Sequence, residues 1–251
     1  MTKPYLSVVI PAYNEEKRIP ATLLDIDKYL LKQDYPLMGS GQVPYEIIVV
    51  SDGSTDKTVE IVKELQRKIK NLRVIDNKKN HGKGYVVKQA MLEARGKYRL
   101  FMDADNSTTI DHLDKFWPFI KQNYDIIIGS IEIKGAQVHE EAVWYRRLLG
   151  RFSKYIIRII AGLWEVHDSQ RGFKLFTDKA VEKIFPKQTI MRWGFDIEIL
   201  TLAKRMGFKI KEVPVNWKNL GESKVTLKSY IKTFQELLKI KQNLITNKYK
   251  L

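Results

Sequence analysis

The chain has 251 residues, 44% of them hydrophobic, no cysteine, and a formal charge of +15 at neutral pH. That apolar fraction suffices for a sizeable core, while the missing cysteines exclude disulfides and thiolate metal sites and fit a reducing compartment. The charge is uneven: residues 141–251 hold 23 of the 44 Lys+Arg but only 10 of the 29 Asp+Glu, so a nearly neutral scaffold precedes a segment facing something anionic. On charge alone, nucleic acid, an anionic membrane leaflet, a phosphorylated substrate and a plain basic surface all stay open.

Met1 to Lys3 run directly into an apolar strand pattern without the features of a signal peptide. The most apolar helical stretch, Tyr155 to Trp164, is too short to cross a bilayer and contains Arg158. The expectation is a cytoplasmic protein. Short apolar runs at Leu6–Pro11, Glu46–Ser51, Leu72–Asp76, Tyr98–Asp103 and Asp125–Gly129 read as strands. Helix-like stretches at Glu15–Lys32, Thr55–Lys70, Gly82–Arg95 and Thr109–Asn123 separate them, with a surface loop at Asp34–Pro44. This alternation predicts an α/β fold, a mostly parallel central sheet with helices on both faces. After Gly129 come a long helix over about Glu140–Leu163, a short run Phe173–Phe176, a helix Phe195–Met206, a strand Lys209–Val215 and a last helix from Leu227 to Ile245. With no linker composition and no repeat, one domain over 1–251 is expected, its 1–130 half holding nucleotide and its 131–251 half facing acceptor and membrane.

Ligands of open α/β sheets bind beyond the carboxyl ends of the strands. Three such ends carry polar motifs: Pro11-Ala12-Tyr13-Asn14-Glu15, Ser51-Asp52-Gly53-Ser54 and Asp103-Ala104-Asp105. Residues two apart in an extended stretch point the same way, so Asp103 and Asp105 can face one ion, and hard oxygen ligands favour Mg²⁺ or Mn²⁺. A turn with Asx hydrogen bonds is the bland alternative. Asn80-His81-Gly82-Lys83-Gly84 resembles a phosphate-cradling loop at a helix start, or equally a capped turn. On the long helix, Arg147, Arg151, Lys154 and Arg158 form a basic stripe beside an apolar face that includes Phe152, Tyr155 and Ile159. That is the pattern of an amphipathic helix in a membrane interface, or of one packed on the sheet. The last helix poses the same choice.

Val8 to Glu15, Val50 to Asp56 and Asp103-Ala104-Asp105 resemble the GT-A inverting glycosyltransferases of family 2. Asp168 to Phe176 and Arg192 to Glu198 resemble the dolichyl-phosphate glucosyltransferase branch, near the dolichyl-phosphate mannose synthases. The resemblance implies a GT-A nucleotide-sugar-binding fold and transfer from a nucleoside-diphosphate sugar, with UDP-glucose favoured, to a polyprenyl phosphate at a membrane face. It implies that Pro11, Ala12, Tyr13, Glu15 and Asp52 hold the nucleotide, Asp52 near the base, and that Lys83 lies beside that pocket. Asp103 and Asp105 would bind Mg²⁺ or Mn²⁺ against the diphosphate. Arg146, Arg171 and Lys224 are candidates to meet donor or acceptor phosphates. Trp193 would stack on sugar or line a lipid groove, and Asp196 and Glu198 would act at the acceptor site, unless these residues only pack and cap. Where mannose synthases carry Gly-Ser-Arg, this chain has Gly129-Ser130-Ile131, so a basic contact is absent there. Two other readings compete: a family 2 enzyme with a saccharide or protein hydroxyl acceptor, which needs a carboxylate base at Asp168 or Asp196, and a basic nucleic-acid-binding protein. The second lacks interleaved aromatic and basic residues, so no nucleic-acid partner is expected.

Overall fold

A computed structural model of the chain describes residues 3–33, 44–139, 144–218 and 227–251. Nearly all of the expected 34–44 loop, and Lys224, lie outside them. Strands β1 (Leu6–Ala12), β2 (Tyr45–Asp52), β3 (Leu72–Asn77), β4 (Tyr98–Met102) and β5 (Ile126–Ser130) alternate with helices α1 (Ile19–Leu30), α2 (Thr58–Leu65), α3 (Lys83–Glu93) and α4 (Trp117–Lys121). Beyond them come β6 (Gln137–His139), α5 (Trp144–Ala161), β7 (Phe173–Thr177), α6 (Asp178–Ile184), α7 (Phe195–Arg205), β8 (Ile210–Pro214), β9 (Asn216–Lys218) and α8 (Leu227–Ile245). Seven strands form one sheet in the order β3-β2-β1-β4-β7-β5-β8, in which β7 alone runs antiparallel to its neighbours; β6 and β9 pair as a small second sheet.

Side chains alternate across the strands and build two cores. Val9, Ile48, Val50, Phe101 and Ile128 meet α3, α6 and α7 on one face. Val8, Ile10, Ile47, Val49, Leu100 and Ile127 meet α1, α2 and the 110–116 turn on the other. Each fully buried Ile, Leu or Phe is worth roughly 1.5–3 kcal/mol against exposure, which is why a sheet covered twice can hold polar strand ends rigidly. Pro11, which cannot donate to a ladder, falls where the pairing of β1 with β4 has already ended at Val9.

Several boundaries differ from expectation for local reasons. The first helix begins at Ile19, not Glu15: Asn14 sits at φ +54°, and the N–H groups of Glu15 and Glu16 tie this turn to the start of α2 by donating to Thr58 Oγ1 and Asp56 Oδ2, at 2.8 and 3.1 Å. The helix expected from Thr55 begins at Thr58, after an Asx turn in which Asp56 Oδ1 accepts from Thr58 N–H at 3.0 Å. Burial alone would raise the Asp56 carboxyl, but hydrogen bonds from Thr58 and Glu16 carry it below its ordinary value. The 109–123 stretch splits into a 3-10 turn, Ile110–Lys115, and α4, whose first turn holds Pro118. Neither α6, capped by Thr177, nor the β6–β9 pair was expected.

Candidate active site

The antiparallel insertion of β7 creates the centre of the site. Its register pairs Met102 with Phe173, so the Asp103 that follows β4 meets the Gly172 that precedes β7. Asp103 N–H donates to Gly172 O at 3.0 Å. A β-carbon on Gly172 would stand 2.1 Å from Asp103 Oδ2 and 2.5 Å from Oδ1. Only glycine leaves that carboxylate its place.

Asp103 Oδ1 lies 2.6 Å from Lys83 Nζ, at the first residue of α3. Burial would lower the Lys83 ammonium, but Asp103 above all, with Asp196 and Asp105, raises it above its ordinary value. The Lys83 ammonium faces the rings of Phe101 and Trp193, 5.4 and 6.0 Å from their centroids. Asp105, half-buried, accepts from Ser107 N–H at 3.0 Å. Its partner in the sequence motif, Asp103, keeps its side chain 36% exposed.

Behind these lies a buried pair that joins Asp196, expected at the acceptor site, to Lys174, which carried no expected role. Lys174, the second residue of β7, is fully buried, 2.5 Å from Asp196 Oδ1, and also donates to Arg171 O. Burial, the largest influence, raises the Asp196 carboxyl, opposed by Lys174 and Lys83. The signal was present: a lysine in the middle of an apolar run, where only a buried counter-charge makes it tolerable. Glu198, weighed for the acceptor site, is structural instead. It is fully buried and accepts from Thr189 Oγ1, the N–H groups of Thr189 and Ile190, and Tyr249 OH at 2.6–2.9 Å.

Asp52 ends β2 with 4% exposure, and its oxygens accept from the N–H groups of His81 (2.7 Å) and Gly82 (3.0 and 3.2 Å). Gly84 and Tyr85 N–H donate to the carbonyls of Arg192 and Met191. The 80–84 loop is therefore not a phosphate cradle: its amides at 81, 82 and 84 are already bound. Gly82, at φ +103°, permits this, since a β-carbon there would stand 2.4 Å from Met191 O. The same contacts bring the Trp193 segment against Lys83. Pro11 and Ala12 are buried in β1; Tyr13, just beyond, is 41% exposed, and Glu15 pairs with Arg18 at 2.6 Å.

Arg171 sits one residue before Gly172, its guanidinium 5.1 Å from the Trp217 ring centroid and 3.4 Å from Asp168 Oδ2. Asp168 is itself 2% exposed and also accepts from Ile131 N–H at 3.2 Å, at the position that departs from Gly-Ser-Arg. Glu212 fixes this segment by accepting from the N–H groups of His167 and Asp168 at 2.9 and 2.8 Å. Arg146 lies on α5, but its side chain, like those of Arg147, Arg151 and Phe152, is outside the described ones.

Of the expected basic stripe, Lys154 is bound to Glu132 and Arg158 to Trp164 O. The apolar face of α5 divides: Ile157 and Ala161 pack into the core with Leu237 and Ile240 of α8, while Tyr155 and Ile159 stay 58% and 44% exposed. Ile231, Phe234 and Leu238, on one ridge of α8, are also exposed. No described helix is long and apolar enough to cross a membrane.

Among the described residues no group of three or more His, Asp or Glu converges as a metal cage. Asp103 and Asp105 nonetheless fit Mg²⁺ or Mn²⁺, because such ions are commonly held by one or two carboxylates and completed by substrate phosphates. Asp103 already binds one cation, the Lys83 ammonium, at 2.6 Å.

The profile described as glycosyl transferase family 2 matches residues 7–185. Dolichyl-phosphate β-glucosyltransferases are similar along most of the chain: one from Trichomonas vaginalis is 34% identical, covering 94% of this chain and 72% of its own length. Another from Saccharomyces cerevisiae is 37% identical, covering 89% and 70%. Among solved structures, glucosyl-3-phosphoglycerate synthase from Mycobacterium tuberculosis, in complex with Mn²⁺, UDP-glucose and phosphoglyceric acid, superposes with a TM-score of 0.65 at 18% identity, covering 96% of this chain and 80% of that one. S. aureus TarS with UDP-GlcNAc gives 0.58 at 21%, covering 94% and 66%. At those identities the likeness is one of fold, and it is the GT-A fold expected.

Proposed function

The chain belongs to glycosyl transferase family 2 and, within it, to the family of its dolichyl-phosphate β-glucosyltransferase relatives; from that premise we propose that it transfers glucose, with inversion, from UDP-glucose to a polyprenyl phosphate at a membrane surface. Asp103 and Asp105 would hold Mg²⁺ or Mn²⁺, which when bound supplies Lewis-acid neutralisation of the departing diphosphate. Tyr13, Glu15 and the end of β2 line the nucleotide side. Asp52 acts there through the 81–82 loop that it pins. Lys83 contributes positive charge at the diphosphate, and Trp193 offers a ring beside the sugar.

The observation that carries the phosphate acceptor is the state of the two carboxylates that a hydroxyl acceptor would need. A sugar or protein hydroxyl requires a general base, whereas a phosphate oxygen is already anionic near neutral pH. Asp196 is 3% exposed and bound to Lys174; Asp168 is 2% exposed and bound by Arg171 and the Ile131 amide. Neither is placed to take a proton from an incoming alcohol. The remaining difficulty is repulsion between an anionic acceptor and a diphosphate, which reaches several kcal/mol in a partly desolvated site. Arg171, one residue before Gly172 with its guanidinium against Trp217, would meet the acceptor phosphate, and Arg146 and Lys224 are proposed to join it.

The exposed ridges of α5 and α8 support peripheral docking on an anionic membrane. Tyr155, Ile159, Ile231, Phe234 and Leu238 supply the apolar surface, and the basic balance of residues 141–251 the attraction to headgroups. The test is a panel of nucleotide sugars incubated with a short polyprenyl phosphate and Mn²⁺ or Mg²⁺, scored for glycolipid. UDP-glucose should give product; transfer from no nucleotide sugar to the lipid phosphate would reject the proposal.

A further inference from the structure

We propose that Lys83 is a built-in counterion, which rests on Asp103 in the donor-free protein and passes to the diphosphate when nucleotide arrives. This rests on the metal reading above and adds a role for this chain's own lysine. The ammonium is 2.6 Å from Asp103 Oδ1 and feels Asp105 and Asp196 as well, so it sits where the paired aspartates concentrate negative potential. Its backbone cannot follow a moving head: Asp52, Met191 and Arg192 fasten residues 81–85, and Gly84 has no room for a β-carbon, 2.7 Å from Phe195 Cβ. The four-carbon stem can, because the side chain is still 23% exposed. Asp103, by contrast, is wedged against Gly172. The flexible partner is the lysine.

Charge arithmetic gives the consequence. Asp103, Asp105 and Asp196 against Lys83 and Lys174 leave one net negative charge when all are ionised; without Lys83 there would be two. Lys174 cannot serve as the mobile cation, being fully buried and held by Asp196 and Arg171 O. A divalent ion entering alone must displace Lys83 with nothing to receive its ammonium. Entering with a diphosphate, it gives Lys83 a new anionic partner. The lysine thereby couples ion uptake to nucleotide uptake and keeps the aspartates from holding a metal ion when no donor is present.

The test measures Mn²⁺ binding to the full chain by electron paramagnetic resonance and calorimetry, with and without saturating UDP, for the wild type, Lys83→Met, Lys83→Gln and Lys83→Arg, with thermal melts confirming folding. Both neutral variants should bind Mn²⁺ without nucleotide roughly tenfold or more tightly than the wild type, as removal of one nearby charge requires, and UDP should add little. Lys83→Arg should stay close to the wild type. If the folded neutral variants bind Mn²⁺ no more tightly while the wild type still takes up Mn²⁺ with UDP, the counterion role is refuted alone. If the wild type takes up no Mn²⁺ even with UDP, the metal reading beneath it falls too.

Discussion

Replacing Gly172 by alanine isolates the contact on which the site depends. No positive φ is required at Gly172, so the backbone accepts alanine and the whole effect is a collision at the Asp103 carboxylate, 2.1 Å from the new carbon against an ordinary contact of 3.4–4 Å. Asp103 must therefore retreat by roughly 1 Å, and a misplacement of that size in a reacting site costs about 100-fold in rate. The stability cost of such overpacking is about 1–3 kcal/mol, eased by the open side of the carboxylate. Gly207→Ala is the matched control. Its φ of +78° makes alanine strained, at about 1–2 kcal/mol, yet no atom lies within 4 Å of the new carbon and the site is remote. Glycolipid formation and thermal melts for both variants should show comparable losses of Tm, with kcat falling about 100-fold only for Gly172→Ala. Undiminished turnover in Gly172→Ala would refute the placing of Asp103 by Gly172.

Asp105→Ala should abolish turnover while the circular dichroism spectrum and melt stay near wild type; near-wild-type rates would remove Asp105 from the metal site. Arg171→Ala should raise the KM for polyprenyl phosphate more than that for UDP-glucose, and an unchanged acceptor KM would contradict its placement. Glu198→Ala should lower Tm strongly, since four donors lose their acceptor at about 1–3 kcal/mol for each one left buried and unsatisfied; a small shift would show that water replaces the carboxylate. Burial, the largest influence, holds His112 below its ordinary value, and its Nε2 accepts from Asn216 N–H at 2.9 Å. The unfolded chain therefore binds the extra proton first. This contribution is complete above the unfolded value of about 6.5 and is lost as pH falls towards the folded one. Melts from pH 7.5 to 5 should show a decline that is shallower in His112→Gln, and equal slopes would contradict it.

The strand-helix alternation was legible because β1, β2, β4 and β5 are buried on both faces and read as apolar runs broken only by single polar residues such as Ser7, Glu46 and Arg99. The place of β7 was not. Phe173-Lys174-Leu175-Phe176 reads alike in either direction, and only the sheet order brings Gly172 to Asp103. The aspartates and Lys83 were visible as motif residues, yet their pairing depends on how Met191 and Arg192 close on α3, a contact of distant segments. Asp196 and Glu198 share one helical turn but differ entirely in partner, Lys174 for one and Thr189, Ile190 and Tyr249 for the other. Spacing cannot separate them.

Polyprenyl phosphate and the matching polyprenol, offered side by side with UDP-glucose and Mn²⁺, test the acceptor chemistry most directly, with the anomeric configuration of any product read by proton NMR. The protein should glucosylate the phosphate alone and give the β-linked phosphodiester. Glucose on the alcohol, or an α-linked product, would contradict it.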